Sequence, residues 1–317
     1  YKQAIDAVKH SVLTAFYTPS VVPKTLYQVL EEHSIQPKRM YEPSSGAGIF
    51  ITEAINYYPS LEQVTAVEKD VLTGKVLQAL ASALPVENQV HIMGFEEAPV
   101  KDNGKYDMVI SNIPFGSFAV YDPTYPDKNL SGKIHNYFFA KGLDVIGDGG
   151  LLAYITSNGF LDSPSNRAAR EYLFNKADFV SLSVMPDNLM KDTGNTESPN
   201  HLLVVQRRDG KQSLSQEEAL LIETVSKENE FGIYTVNQYI DRHPEILLGD
   251  EIRPGKNQYG TAHQTVWQRG PMVEIAQPLR NILEEGIEGR FNRDGWERLQ
   301  VSFGQQLSID QTPEREK

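Results

Sequence analysis

The sequence predicts an open α/β fold, a mostly parallel seven-stranded sheet with helices on both faces and a mainly helical C-terminal extension. Two observations predict it. From about residue 39 to residue 208, short β-branched or apolar runs alternate with longer segments of helical period, the pattern of strands joined by crossover helices. Two of the runs then end in loops of unusual composition, Glu42-Pro43-Ser44-Ser45-Gly46-Ala47-Gly48 and Asn112-Ile113-Pro114-Phe115-Gly116, and an open sheet of this class collects such loops along one edge.

The strands are expected at Arg39–Glu42, Gln63–Glu68, Val90–Met93, Tyr106–Ser111, Gly150–Thr156, Phe179–Met185 and His201–Arg207. Helical spacing covers Ile49–Tyr58, Val71–Ala83, Ile134–Ile146 and Ser165–Asn175, with Asp148-Gly149-Gly150 expected to stop the third of these. Ahead of the sheet, Thr18-Pro19-Ser20 opens an amphipathic helix with Val21, Val22, Leu26, Val29 and Leu30 on one side. Three domains are expected: 1–37, an N-terminal helical segment; 38–210, the α/β unit; and 211–317, an extension with helical stretches but no clear sheet. The last seven residues read as a frayed tail.

The formal net charge of −12 argues against a protein coated in nucleic acid, because phosphate contacts need clustered Lys and Arg. A local basic rim is still compatible with it, and Lys128, Lys133, Lys141, Arg167, Arg170, Arg207 and Arg208 are candidates. The absence of cysteine excludes disulfides and Cys-based zinc sites, and the seven histidines are scattered without metal spacing. No apolar run approaches eighteen residues and no signal-like N-terminus is present, so no membrane partner is expected and the cytoplasm is the default. Because position 1 is Tyr, the sequence is expected to be part of a longer protein.

The first loop turns from a strand through Gly46 and Gly48 into a helix, which lets backbone approach a ligand closely. It lacks the G-x-G-x-x-G spacing of dinucleotide folds and the Gly-Lys-Ser/Thr of phosphate loops. A cofactor without phosphate suits it. S-adenosyl-L-methionine is one, and Glu42 is placed to face its cationic groups while Glu68, ending the next strand, is placed to accept hydrogen bonds from ribose hydroxyls. Alone, the loop reads equally well as a structural turn.

The second loop has the groups needed to handle a planar amino group. The Asn112 side chain and the Ile113 carbonyl are two acceptors, Phe115 offers a face for stacking, and Pro114 biases Ile113 away from helical angles. Two acceptors that draw both amino hydrogens favour the pyramidal nitrogen whose lone pair can attack a methyl group. In isolation this too is an ordinary strand-ending turn. Both loops face one cleft, and their joint occurrence favours function.

At these residues the chain resembles the adenine-specific DNA methyltransferases that carry an Asn-Pro-Pro-Phe/Tyr motif, over roughly its first two-thirds. The resemblance implies a Rossmann-like class I methyltransferase that transfers methyl from S-adenosyl-L-methionine to the exocyclic nitrogen of a flipped-out adenine in DNA, as in restriction-modification. It assigns Tyr17, Thr18, Pro19, Glu42, Ser44, Gly46, Gly48, Glu68 and Phe95 to the cofactor, and Asn112, Ile113, Pro114 and Phe115 to catalysis. Ile134 to Lys141, Gly149 to Thr156, Arg170 to Leu173 and His201 to Arg208 are similar to later blocks of the family. Phe95-Glu96-Glu97, Asn112 to Gly116, Ile134 to Phe138 and His243 to Gly249 look like a subgroup found in large, helicase-bearing proteins of mobile elements, which implies a helicase region of a parent protein as partner.

Three departures stand out. Ile113 replaces the first proline of the motif, Met185-Pro186 lies where a second aromatic usually holds the base, and Gly94 replaces an acid used on the cofactor's adenine, leaving Glu96 or Glu97 to substitute. RNA or protein-glutamine amino groups, and a non-catalytic module descended from such an enzyme, are the competing readings. His135 is expected to be a packed residue hydrogen-bonded to a neighbour, and Tyr121 to Tyr137 a mobile loop.

Overall fold

A computed structural model describes residues 18–257 and 260–310, with side chains through Phe303. Tyr17 and the tail beyond residue 310 lie outside the described residues.

Helix α1 (Val21–Glu32) buries Val22, Leu26, Val29 and Leu30, a stripe at helical spacing, and tolerates Pro23 because it falls in the first turn. The sheet follows as β1 (Arg39–Glu42), β2 (Gln63–Glu68), β3 (Glu87–Ile92), β4 (Tyr106–Asn112), β5 (Ile146–Ser157), β6 (Ala177–Met185) and β7 (Asn200–Arg207). Its spatial order is β3-β2-β1-β4-β5-β7-β6. β1 to β5 are mutually parallel, and β7 runs antiparallel between β5 and β6. β4 is central and buried from Tyr106 to Ser111, with Met108, Val109 and Ile110 as its apolar centre, whereas the edge strand β3 is partly exposed.

Successive strands move outward from β1 to β3, and the chain then returns to place β4 on the other side of β1. The crevice at the carboxyl ends of β1 and β4 is therefore the switch point of the sheet. The register pairs Tyr41 with Val109, which brings Glu42 and Asn112 to that edge together.

One face of the sheet is covered by α4 (Ile134–Val145) and α5 (Arg167–Lys176), whose Tyr137, Phe138, Phe139 and Leu173 meet Tyr41, Val109, Leu152 and Tyr154. The other is covered by α1, α2 (Ile49–Tyr57), α7 (Ala276–Arg290) and α8 (Arg293–Asp310). Here Phe50, Leu279, Leu283 and Trp296 meet Met40, Met108, Ile110 and Ala153. The two C-terminal helices thus complete a face of the sheet. Helix α3 (Val71–Ala81) follows β2, its N-cap Asp70 accepting from the Thr73 amide at 2.8 Å.

Helix α4 stops at Val145, before Asp148-Gly149-Gly150. That tripeptide instead forms a bulge inside β5, where pairing with β4 jumps from Ile146 to Leu151. Gly149 sits at φ +91°, and a Cβ there would run into the Gly295 carbonyl of α8. The glycines serve a close approach of helix to strand.

Beyond Arg207, two antiparallel hairpins add to the helices expected there: β8 (Thr224–Asn229) with β9 (Gly232–Asn237), and β10 (Glu251–Lys256) with β11 (Ala262–Trp267). Helix α6 (Gln216–Ile222) precedes them, capped by Ser215 and Glu218 reciprocally. Their strands are short and largely polar, which hides the period-two signal.

Several residues expected on a basic rim are buried or half-buried. Arg170 is 0% exposed and donates to the carbonyls of Phe160, Ser163 and Ile222. Lys141 is buried against Asp122 at 3.3 Å. Arg207 donates to the carbonyls of Leu143 and Ile146. Their long side chains satisfy backbone groups that would otherwise be orphaned.

Candidate active site

The glycine loop leaves β1 at Glu42 and is held from both sides. The Ser45 amide donates to the Val67 carbonyl at 2.9 Å, and the Ser111 hydroxyl donates to the Ser44 carbonyl at 2.9 Å. The second bond ties the two sequence motifs directly together. Gly46, at φ +52°, adopts a conformation that side chains disfavour, and open space lies where its Cβ would stand. Its amide donates to Glu68 Oε2 at 2.8 Å, and the Asp70 amide donates to Glu68 Oε1 at 2.8 Å.

Glu42 is 2% exposed and its Oε2 is buried without a partner. Burial, and then the neighbouring Glu68 carboxylate, push its carboxyl well above the ordinary range. Burial raises Glu68 as well, against the pull of the Asp70 and Gly46 amides. Two acids beside an open glycine turn fit a cationic ligand that carries a diol.

Asn112 ends β4, paired with Ile155 of β5. Its Nδ2 donates to Thr18 Oγ1 at 3.1 Å and to Met190 Sδ at 3.2 Å, while its Oδ1 is buried with no partner. The Ile113 amide donates to the Ile155 carbonyl at 3.0 Å and the Ile113 side chain is buried, so the position replacing proline is anchored by packing. Phe115 lines a cavity of about 270 Å³ that also involves Lys133, His135, Asn158, Asn166, Pro199 and, from the end of the β10–β11 hairpin, Asn257.

The expected site residues Thr18, Pro19, Glu42, Ser44, Gly46, Gly48 and Glu68 surround β1 and β2 ends beside Asn112, Ile113, Pro114 and Phe115. Phe95 stands apart. Its ring is 2% exposed and packs among Tyr41, Tyr137 and Phe138 under the Lys141 ammonium, 5.2 Å from the ring centre, so its side chain belongs to the core. The Glu96 carboxyl folds back over Gly94, filling the space where a side chain at 94 would begin, and pairs with Lys69 at 2.7 Å.

Sequence reasoning missed Met190, 78 positions from Asn112, and Asn257; neither lies in a motif, and only the fold brings them near. It took Tyr121 to Tyr137 for a mobile loop, but the structure ties that segment down. Asp122 accepts from Tyr137 at 2.6 Å and from Lys141, Tyr125 bonds Asp144, and a helical turn forms at Lys128–Ser131. Among the described residues no cluster of three or more His, Cys, Asp or Glu is placed to hold a metal, and no helix is long and apolar enough to cross a membrane.

Residues 58–188 match the model of the Eco57I restriction-modification methylase family. No curated protein sequence matches the chain. Among solved structures, the M protein of the type I restriction enzyme EcoKI is similar over 94% of this chain and 77% of its own, at 12% identity and a TM-score of 0.54. A Listeria monocytogenes protein assigned as a class I S-adenosylmethionine-dependent methyltransferase matches over 64% of each chain, at 16% identity and a TM-score of 0.52. The methyltransferase subunit of a type I restriction-modification system from Streptococcus thermophilus matches over 88% of this chain and 60% of its own, at 16% identity and a TM-score of 0.51. The chain thus spans less than two thirds of the last two structures. At these identities the likeness is one of fold, the class I methyltransferase sheet. The segment that matches the Eco57I restriction-modification methylase family, residues 58–188, holds β2 to β6 and the Asn112 loop.

Proposed function

We propose that this protein is a DNA adenine N6-methyltransferase that takes its methyl group from S-adenosyl-L-methionine. The observation that carries the reading is the Asn112 amide: both its donors are engaged by Thr18 and Met190, which leaves Oδ1 as a buried acceptor with no partner. A buried acceptor left open costs stability unless a ligand satisfies it.

Glu68 accepts from the ribose hydroxyls in this reading, exchanging them for the Gly46 and Asp70 amides it holds in their absence. Glu42 compensates the ligand's positive charge. Gly46 leaves room for close approach. S-adenosyl-L-methionine, when bound, supplies an electrophilic methyl group on a cationic sulfur. Asn112 Oδ1 and the Ile113 carbonyl accept the two hydrogens of the target amino group and localise its lone pair. The nitrogen–carbon bond forms as the sulfur–carbon bond breaks, and the nitrogen then loses one proton to solvent. Phe115 stacks on a base that has left the duplex. Glu96, folded over Gly94, substitutes for the acid that position lacks.

The experiment is transfer of labelled methyl to adenine-containing duplex DNA, beside matched RNA and an Asn112→Ala variant. Incorporation into DNA adenine that the substitution abolishes supports the reading. Transfer confined to RNA, or cofactor binding with no transfer, overturns it.

A further inference from the structure

We infer that His135 reads the target base, its Nδ1–H donating to a ring nitrogen of the adenine seated against Phe115. The inference rests on the proposed adenine methylation and names a specificity residue for it.

A chain of hydrogen bonds leading to His135 has its direction fixed at both ends. Asn136 Nδ2 donates to the Asn129 carbonyl at 2.9 Å, so this amide presents nitrogen, and it also donates to Asn166 Oδ1 at 3.2 Å. Asn166 Nδ2 donates to the Gly159 carbonyl at 2.6 Å. Backbone carbonyls only accept, so neither amide can be turned round without losing a bond. The remaining hydrogen of Asn166 Nδ2 faces His135 Nε2 at 3.1 Å. Nε2 must accept, and the proton of a neutral imidazole therefore sits on Nδ1.

That Nδ1–H is buried and has no partner. His135 is 3% exposed, yet it lines the cavity that Phe115 opens onto. Buried N–H groups without an acceptor are rare, because each forfeits its hydration. An acceptor arriving in the cavity would satisfy it. Adenine offers donors on its amino nitrogen and bare acceptors on its ring, so one base can satisfy Asn112 Oδ1 and His135 Nδ1–H together. Guanine, with an oxygen at position 6, presents an acceptor to the Asn112 acceptor and is refused.

The test deletes one atom from the substrate. Mixed-sequence duplexes in which every adenine is replaced by 1-deaza-, 3-deaza- or 7-deazaadenine keep the amino group and each lose one ring acceptor. With the unaltered protein, one replacement should lower kcat/KM about tenfold or more while the other two do less. His135→Gln, which keeps a polar group for Asn166 but carries no donor at the Nδ1 position, should show the same loss on ordinary DNA and no additional loss on the deaza substrate. Its affinity for S-adenosyl-L-methionine should be unchanged. Nitrogen-15 shifts of labelled histidine should report Nδ1 protonated and Nε2 bare before any ligand is added, a readout that needs no activity. Methylation of adenine with all three replacements treated alike overturns the role of His135 and leaves the proposed function standing, as does a deaza penalty that persists in His135→Gln. No methylation of adenine by the unaltered protein overturns the function and this inference with it.

Discussion

Asn112 Nδ2 lies 3.1 Å from Thr18 Oγ1, a contact across 94 positions that joins the segment before the first helix to the end of the central strand. With Met190 taking the other donor, it fixes which way the amide faces. Thr18→Val removes the oxygen at nearly constant volume and releases that constraint. We expect kcat to fall by about tenfold, near the net worth of one hydrogen bond, with KM for cofactor and DNA little changed. Thr18→Ser should restore it. Steady-state kinetics of the two variants check this, and an unaltered kcat in Thr18→Val would mean that Met190 and packing hold the amide unaided.

Glu42 leads to a pH dependence. Burial and the Glu68 carboxylate raise its carboxyl, so it holds a proton above the usual carboxylate range. A cationic ligand favours the ionised form, and binding then expels the proton. The affinity for S-adenosyl-L-methionine should therefore tighten as pH rises through the raised value, by up to about tenfold per pH unit, and level off above it. Glu42→Gln should bind more weakly and with a shallower profile, the remainder belonging to Glu68, which burial also raises. Titration calorimetry in buffers of different ionisation enthalpy measures the released proton directly.

Most of the sheet was legible because its inner strands are buried on both faces and its loops break sharply: β1 and β2 lie where the sequence predicts, residue for residue, whereas the partly exposed β3 starts three residues earlier than expected. The motif loops were legible for the same local reason. What escaped depends on distance in the chain. The partnering of Asn112 with Met190, the burial of Arg170 and the entry of Asn257 into the cavity are set by tertiary packing that no window of sequence contains. Phe95 shows the converse. The motif order alone assigns it to the cofactor, and only the fold shows its ring packed among three aromatics.

Lys141 and Asp122 join the segment after the Asn112 loop to helix α4 through a buried ion pair at 3.3 Å, and the same ammonium donates to the Glu96 and Ala98 carbonyls. Burial alone would raise Asp122, but hydrogen bonds from Tyr137 and Thr124 and the Lys141 charge outweigh it and hold the carboxyl at about 2. Removing the lysine leaves that carboxylate buried without its cation. Lys141→Met should cost about 3–5 kcal/mol of unfolding free energy in urea, and Asp122→Asn added to it should recover part of the loss. Additive losses would show that the pair is not coupled.

His135 gives stability its own pH dependence. Burial first, and then the Lys133 charge, hold the imidazole down at about 4 in the folded chain, against about 6.5 when unfolded. Above the unfolded value neither state binds the proton and nothing is lost. As pH falls from about 6.5 to about 4 the unfolded chain takes up a proton that the fold refuses, and stability drops by about 1.4 kcal/mol per pH unit, roughly 3 kcal/mol in all. His201, also lowered by burial, steepens the fall in the same direction. Urea midpoints at about pH 7.5 and about pH 5 should therefore differ more for the unaltered protein than for His135→Gln. Equal differences would mean that the folded imidazole takes up its proton as readily as the unfolded one, against the burial that holds it down.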